Sequence, residues 1–428
     1  MLKDRYGNAL DTDSPAERDA YDAAMDSLLS AGPDMRERFQ ALCDAAPDFL
    51  QARVGLARAR HIMGDAGDAR AAMAEARTLA AERRLADMDA SRMHALGLLI
   101  DGKAGEAYPA LRAHAVAFPT DAIAVQTCTS VFGLIGFSGA PGREADLLAY
   151  TTALAPYYPD DDWWFQSQHA FSNCETGRID IADRLIDRSL AGNRRNAHAA
   201  HVRSHVYYEA GDAAAGIAFL EGWLPDYDRR GRMHGHASWH LALWLLGAGD
   251  IDRMWELVDG NVAPGSATQA LPINQLTDTA AILFRAALAG VDVPDERWRA
   301  VSDYAREKFP KPGVGFADVH AALAHAMAGA EDALETIVAA PAGPAADVVR
   351  DLAEGYRAIA RRDWARATDC LTRGMADHAR IGGSRAQRDL LEHTLLYALV
   401  QQGKADEARR TLALRRPVQA GKAPVVGL

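Results

Sequence analysis

Residues 209–221 read EAGDAAAGIAFLE, and the same arrangement returns as ETGRIDIADRLID at 175–187, GAGDIDRMWELVD at 247–259 and QQGKADEARRTL at 401–412. In these segments a glycine ends one helix-forming run, and the residue five positions on is small: Gly177 with Ala182, Gly211 with Gly216, Gly403 with Ala408. Gly64 with Ala69, Gly102 with Ala107 and Arg362 with Ala367 follow the same rule, whereas after Gly249 the place is taken by Met254. A left-handed glycine stops a helix, and a small residue in the next helix lets the two pack closely. Gly177 and Gly211 are 34 residues apart, and Gly211 and Gly249 are 38 apart, which are helical-hairpin periods. Strand signals are nearly absent, because alanine dominates and valine and isoleucine are dispersed. The pattern predicts turns near residues 64, 102, 177, 211, 249, 362 and 403, with essentially no sheet.

These hairpins resemble tetratricopeptide repeats. The expected fold is an all-α, right-handed superhelix of tetratricopeptide-like hairpins, closed or strongly curved. It is read as one domain over 1–428, with a lead-in at 1–20 and a loose, proline- and glycine-containing tail at 416–428.

Composition narrows the function classes. The chain is 49% hydrophobic and 25% charged, its mean hydropathy is −0.18, and its formal charge is −11 with a pI near 5.7. No apolar run approaches the roughly 18 residues needed to cross a bilayer. The polar, acidic start lacks the basic end and apolar centre of a secretory signal, so the expected compartment is the cytoplasm. Nucleic acid is not an expected partner, because phosphate contacts need clustered Lys and Arg. The four cysteines form no CxxC pair and read as reduced, buried thiols.

Chemistry concentrates in two runs, HAAHVRSH at 198–205 and HGHASWH at 234–240, which hold six of the fourteen histidines. His201 with His205, and His236 with His240, are spaced i, i+4 and share a helix face. Both pairs precede turn glycines, so they are expected to approach one another. His205, His236, His240 and His320 are the candidate ligands for a divalent metal ion, with Asp278 or Asp318 as a carboxylate. His205, His240 and Asp278 are also the candidate catalytic groups. There is no HExxH, so the zincin arrangement is absent. The competing reading is a buried hydrogen-bonded network in which each imidazole uses one nitrogen as donor and the other as acceptor. Trp239, between His236 and His240, is placed as the wall of a pocket, while Trp223, Trp244 and Trp255 read as core fillers. Arg203 and His234 read as solvated or rim positions.

GGSRAQRD, Gly382 to Asp389, is a second candidate. Ser384 can cap the following helix, and the glycines allow backbone N–H groups to meet an anion or carboxylate. Gln387, Arg388 and Asp389, with His201 and Trp239, are the candidate ligand-binding residues. Motifs for a serine or cysteine nucleophile and for nucleotide binding are lacking.

In order, HVRSHVYYEAGDAAAGIAFLEGW, HASWHLALWLLGAGD, LTDTAAILFRAALAGVDV, FADVHAALAHAMAG and IGGSRAQRDLLEHTLLYAL resemble the tetratricopeptide repeat protein 38 family. GNALDTDSPAERDAYDAAM and WWFQSQHAFSNCETG fit it more loosely, and the likeness runs over roughly residues 4 to 415. It implies a single-body helical repeat and matching positions at His201, His205, His236, Trp239, His240, Asp278, His320 and Gly382 to Asp389. It implies no particular activity. WWFQSQHAF departs from the family near His169. Two function classes follow: a His/Trp/Asp-lined pocket on the concave face that binds and transforms a small molecule with a metal ion, or a scaffold that takes a peptide or protein partner in its groove.

Overall fold

The computed structural model describes residues 2–428, and among these the chain forms 22 α-helices. There is no β-strand among the described residues; the one β feature is an isolated antiparallel bridge between Lys3 and Ala9. The all-α expectation is met, and successive helices pair as hairpins.

The seven anticipated turns all carry a left-handed residue: Gly64, Gly102, Gly177, Gly211, Gly249, Gly403 and, without glycine's freedom, Arg362 at φ 56°. At Gly249 the backbone N–H returns to the carbonyls of Leu245 and Leu246, closing the His234–Ala248 helix. The small residues five positions on are packing sites. Ala69, Ala107, Ala182, Ala367 and Ala408 are fully buried, as is Met254. At Gly216 an added methyl would lie 2.4 Å from the Trp244 ring, so only glycine admits that indole between neighbouring helices.

The chain divides into two compact units. The first comprises residues up to Ile135, Leu147–Ser172 and Ala182–Ala200; the second comprises Gly136–Asp146, Asn173–Ile181 and His201–Leu428. In the first unit, buried Arg92 bridges Asp89 and Asp121, and His114 Nε2 lies 2.8 Å from Asp121 Oδ2. Tyr158 stacks on Phe165 and meets Trp164 edge-on. Asp162 caps its helix by accepting from the Phe165 N–H at 2.7 Å.

In the second unit the C-terminal segment is docked, in contrast to the loose tail expected over 416–428. Arg416 is buried and forks onto Glu209 at 2.9 and 3.0 Å and onto Asp389 at 2.9 Å. Val425 is buried, and the Val426 N–H donates to the Leu288 carbonyl at 2.8 Å. Proline and glycine content signals an irregular path; two buried carboxylates facing one guanidinium fix that path. Trp223 and Trp244 fill the core, but Trp255 is half-buried, with the Arg297 guanidinium 4.3 Å above its ring. Arg203 and His234 are buried as well, the former over the Tyr207 ring and the latter stacked on Tyr227, because apolar stems and rings pack even where the heads are polar.

Candidate metal centre

His201 and His205 stand one turn apart on the Ala197–Ala210 helix, and His236 and His240 one turn apart on the His234–Ala248 helix. Their i, i+4 spacing presents two imidazoles from each helix, and the four meet. One nitrogen from each ring can be chosen so that all four lie within 4.8 Å of one another. His201 Nε2 is 2.7 Å from His205 Nε2 and 3.1 Å from His236 Nε2. The His240 ring centroid lies 4.7 Å from that of His205 and 5.0 Å from that of His236. Exposure is 6% for His201, 0% for His205, 3% for His236 and 1% for His240, so the four rings are closed off from bulk solvent.

The nitrogen geometry can be set beside what a hydrogen-bonded network requires. His236 Nδ1 lies 2.7 Å from Asp278 Oδ2, a distance at which the neutral ring donates its Nδ1–H to the carboxylate. That leaves His236 Nε2 with a lone pair facing His201 Nε2. His201 Nε2 can supply only one hydrogen for its two nitrogen neighbours. His240 completes the argument, because neither of its buried nitrogens has a hydrogen-bond partner. A network would give each imidazole one donor and one acceptor role, and an unpartnered buried polar group is costly.

Electrostatics keep His205 and His240 neutral. Burial, assisted by the neighbouring His236 imidazole, pushes His205 down to about 3. Burial, then His205, His236 and Arg285, hold His240 well below the ordinary histidine range. Trp239 is fully buried, stacked on His236 with centroids 5.3 Å apart, and edge-on to His240 at 5.0 Å. It fixes two ring planes. Glu175 Oε1 lies 3.8 Å from His205 Nδ1.

The other sequence candidates are used differently. His320, on the Gly315–Met327 helix, places Nδ1 2.7 Å from the Phe316 carbonyl and is not in the four-histidine group; His201 takes that place. Asp318 accepts from the Gly313 N–H at 2.8 Å, and burial pushes its carboxyl up to about 6. Ser384 and Gln387 form the anticipated capping box at the start of the Arg385–Gln401 helix. The carboxylate that meets this helix start belongs to the chain itself, since Glu175 Oε2 accepts from the Arg385 N–H at 2.8 Å. Arg388 pairs with Glu144 and the Gly383 carbonyl, and Asp389 accepts from Tyr208, Arg416 and Gln419. These charged groups, expected to face a ligand, are therefore engaged by the protein. His169 belongs to the first unit, with Nδ1 3.0 Å from Thr151 Oγ1. A surface cleft of about 420 Å³ is lined by other residues, among them Val291, Asp295 and Trp298.

Glu175 and Arg285 have no place in the sequence reading. Arg285 does carry a signal: it is a charge in the apolar run AAILFRAAL, seven residues after Asp278 and so on the same helix face. Glu175 ends a helix just before a turn, where an acidic residue ordinarily reads as solvated.

Buried histidines outside the group make the fold acid-sensitive. Burial pushes His320, His325 and His393 each down to about 4, from a usual value near 6.5. Between these limits the unfolded chain binds more protons than the folded one, so stability rises with pH there and is fully present above the unfolded value. Thermal melts should show a plateau above about pH 6.5 and a progressive fall toward about pH 4. His325→Gln, which removes the ring bonded to Ser302 Oγ at 2.8 Å, should flatten part of that slope. An unchanged slope in the variant would remove His325 from the linkage.

The chain matches no protein-family model. Among solved structures it is similar to the human IFIT1 dimer with m7Gppp-AAAA, at 14% identity and TM-score 0.45, with 90% of this chain and 94% of that one covered. The human IFIT1 dimer with PPP-AAAA gives 13% identity and TM-score 0.44 over 97% and 98%. The P58(IPK) TPR domain gives 13% identity and TM-score 0.21 over 94% and 99%.

Proposed function

We propose that this helical-repeat protein is a metalloprotein, in which His201, His205, His236 and His240 hold one divalent first-row transition ion. The observation that carries the reading is His240: a buried imidazole with both nitrogens unpartnered, facing three other imidazoles whose contacts cannot all be hydrogen bonds. A cation accepts one lone pair from each of the four rings, including one of the two unpartnered nitrogens of His240. Zinc–imidazole bonds of about 2.0–2.1 Å put tetrahedral ligand nitrogens roughly 3.3 Å apart, a separation between the 3.1 Å contact of His201 with His236 and the 4.8 Å that bounds the group. An all-imidazole donor set suits zinc, copper, iron or nickel rather than calcium or magnesium. Asp278 acts on the ion through His236, fixing its tautomer and ring plane as second carboxylates do at histidine metal sites. His205 and His240 are thereby ligands rather than free acid/base groups, and Asp278 is a positioning residue. The scaffold reading has only the helical hairpins behind it, and fold alone does not assign a partner.

Metal analysis of untagged protein, purified without chelator and then reconstituted with zinc, should find close to one ion per chain. Chelation should lower the melting temperature. His236→Ala should abolish both effects while keeping the helical circular dichroism spectrum. Failure to retain zinc, cobalt, nickel, copper or iron after reconstitution, with melting curves indifferent to each, would reject the proposal.

A further inference from the structure

Arg285 is 3% exposed, on the Pro272–Leu288 helix, and it has no ion-pair partner among the described residues. The contrast with its neighbours is sharp. In the same unit buried Arg388 meets Glu144, and buried Arg416 meets Glu209 and Asp389. Arg285 instead donates from Nη1 to the Tyr208 hydroxyl at 3.3 Å and from Nη2 to the Ala386 carbonyl at 2.6 Å, two neutral acceptors. Its Nε–H has no partner. A buried charge without a counter-ion is among the most costly arrangements in a protein interior.

The surroundings show where a counter-ion fits. Asp278, Ala281 and Arg285 follow at i, i+3 and i+7, so they share one helix face with the alanine methyl between the two charged side chains. Arg285 lies with its guanidinium carbon 6.0 Å from the centre of the Trp239 ring, and its charge contributes to the depression of His240. Trp239 Nε1–H is buried and unpartnered, as is Asp278 Oδ1. Two unused N–H donors and an unpaired positive charge thus adjoin the histidine cluster.

We propose that a small carboxylate anion binds beside the metal, with one oxygen accepting from Arg285 Nε–H and Trp239 Nε1–H and the other turned toward the ion. This rests on the metal reading above and gives that site its ligand class. A single negative charge matches the single unpaired guanidinium.

Cobalt(II)-reconstituted protein provides the test, because its visible absorption reports ligands at the ion. Acetate should change the cobalt spectrum saturably and raise the melting temperature, whereas chloride and phosphate at equal ionic strength should leave both unchanged. Arg285→Gln should keep about one cobalt per chain and lose the acetate response. Trp239→Phe, which keeps a ring but removes the N–H, should weaken apparent acetate affinity about ten-fold, equivalent to about 1.4 kcal/mol. It supplies the answer if Arg285→Gln does not fold. Bound cobalt with no acetate response, a phosphate response in place of it, or Trp239→Phe behaving as wild type would overturn the anion site while leaving the metal centre standing. Failure to take up cobalt or any other ion would overturn the metal reading, and acetate melts of metal-free protein would then decide whether Arg285 and Trp239 hold an anion alone.

Discussion

Replacing Arg416 with alanine should destabilise the protein by about 3 to 5 kcal/mol, the range seen when one partner of a buried ion pair is removed. The guanidinium satisfies two buried carboxylates at once, Glu209 through both its oxygens and Asp389 through a third hydrogen bond. Without it, Asp389 retains Tyr208 and Gln419, and Glu209 retains only Arg385 at 3.5 Å among its ion-pair partners. Neither environment replaces a bidentate fork. Arg409→Ala in the preceding helix is the matched control, because its pair with 84%-exposed Asp406 is a surface i, i+3 contact whose loss should cost under about 0.5 kcal/mol. Denaturant melts of the two variants measure the difference. Equal midpoints would show that the segment after Arg415 does not dock in solution.

That segment also shows where sequence reasoning stops. ARRTLALRRPVQAGK looks like a basic end running into a flexible tail, and nothing local distinguishes Arg416 from Arg415 or Arg410. The distinction is made by Glu209 and Asp389, which are remote in sequence and whose burial depends on tertiary packing. The hairpin turns were legible for the opposite reason. A glycine followed by a small residue is a local steric requirement, and it marks Gly64, Gly102, Gly177, Gly211 and Gly403 without knowledge of neighbours, whereas Gly249 is marked by the repeated text GAGDIDRMWELVD alone. Turns that break this rule went unmarked: Gly290 and Gly329 are also left-handed, but Asp295 and Leu334 stand where the small residue is expected.

The histidine site was legible to the extent that its spacing is helical. An i, i+4 pair guarantees two rings on one face, and two such helices in successive hairpins can bring four rings together. His320 shows the limit of the same reasoning, since its single imidazole bonds to the carbonyl one turn back on its own helix. Arg388 and Asp389 show another. Residue type announces a capacity to bind ions, but whether that capacity is spent within the fold is settled by carboxylates and guanidiniums far away in sequence.

The largest effects on the proposed metal should follow the order His240→Ala, then Asp278→Asn, then His320→Ala. Structural zinc in small peptides contributes about 10–16 kcal/mol, so deletion of one ligand among four should cost about 3–4 kcal/mol, or two to three orders of magnitude in affinity. Asp278→Asn leaves four imidazoles but weakens the hydrogen bond that sets the His236 tautomer, and loss of such a partner behind a ligating histidine costs about 10- to 100-fold. His320→Ala, outside the group, should leave zinc affinity within about two-fold, although it removes a buried ring and lowers stability. Competition against a zinc-binding dye measures all three, and the comparison separates ligation from general damage to the fold. If His320→Ala weakened zinc as much as His240→Ala, loss of packing would account for both and the four-histidine assignment would fail. If Asp278→Asn had no effect while His240→Ala did, the ion would be held by imidazoles whose orientation the carboxylate does not control.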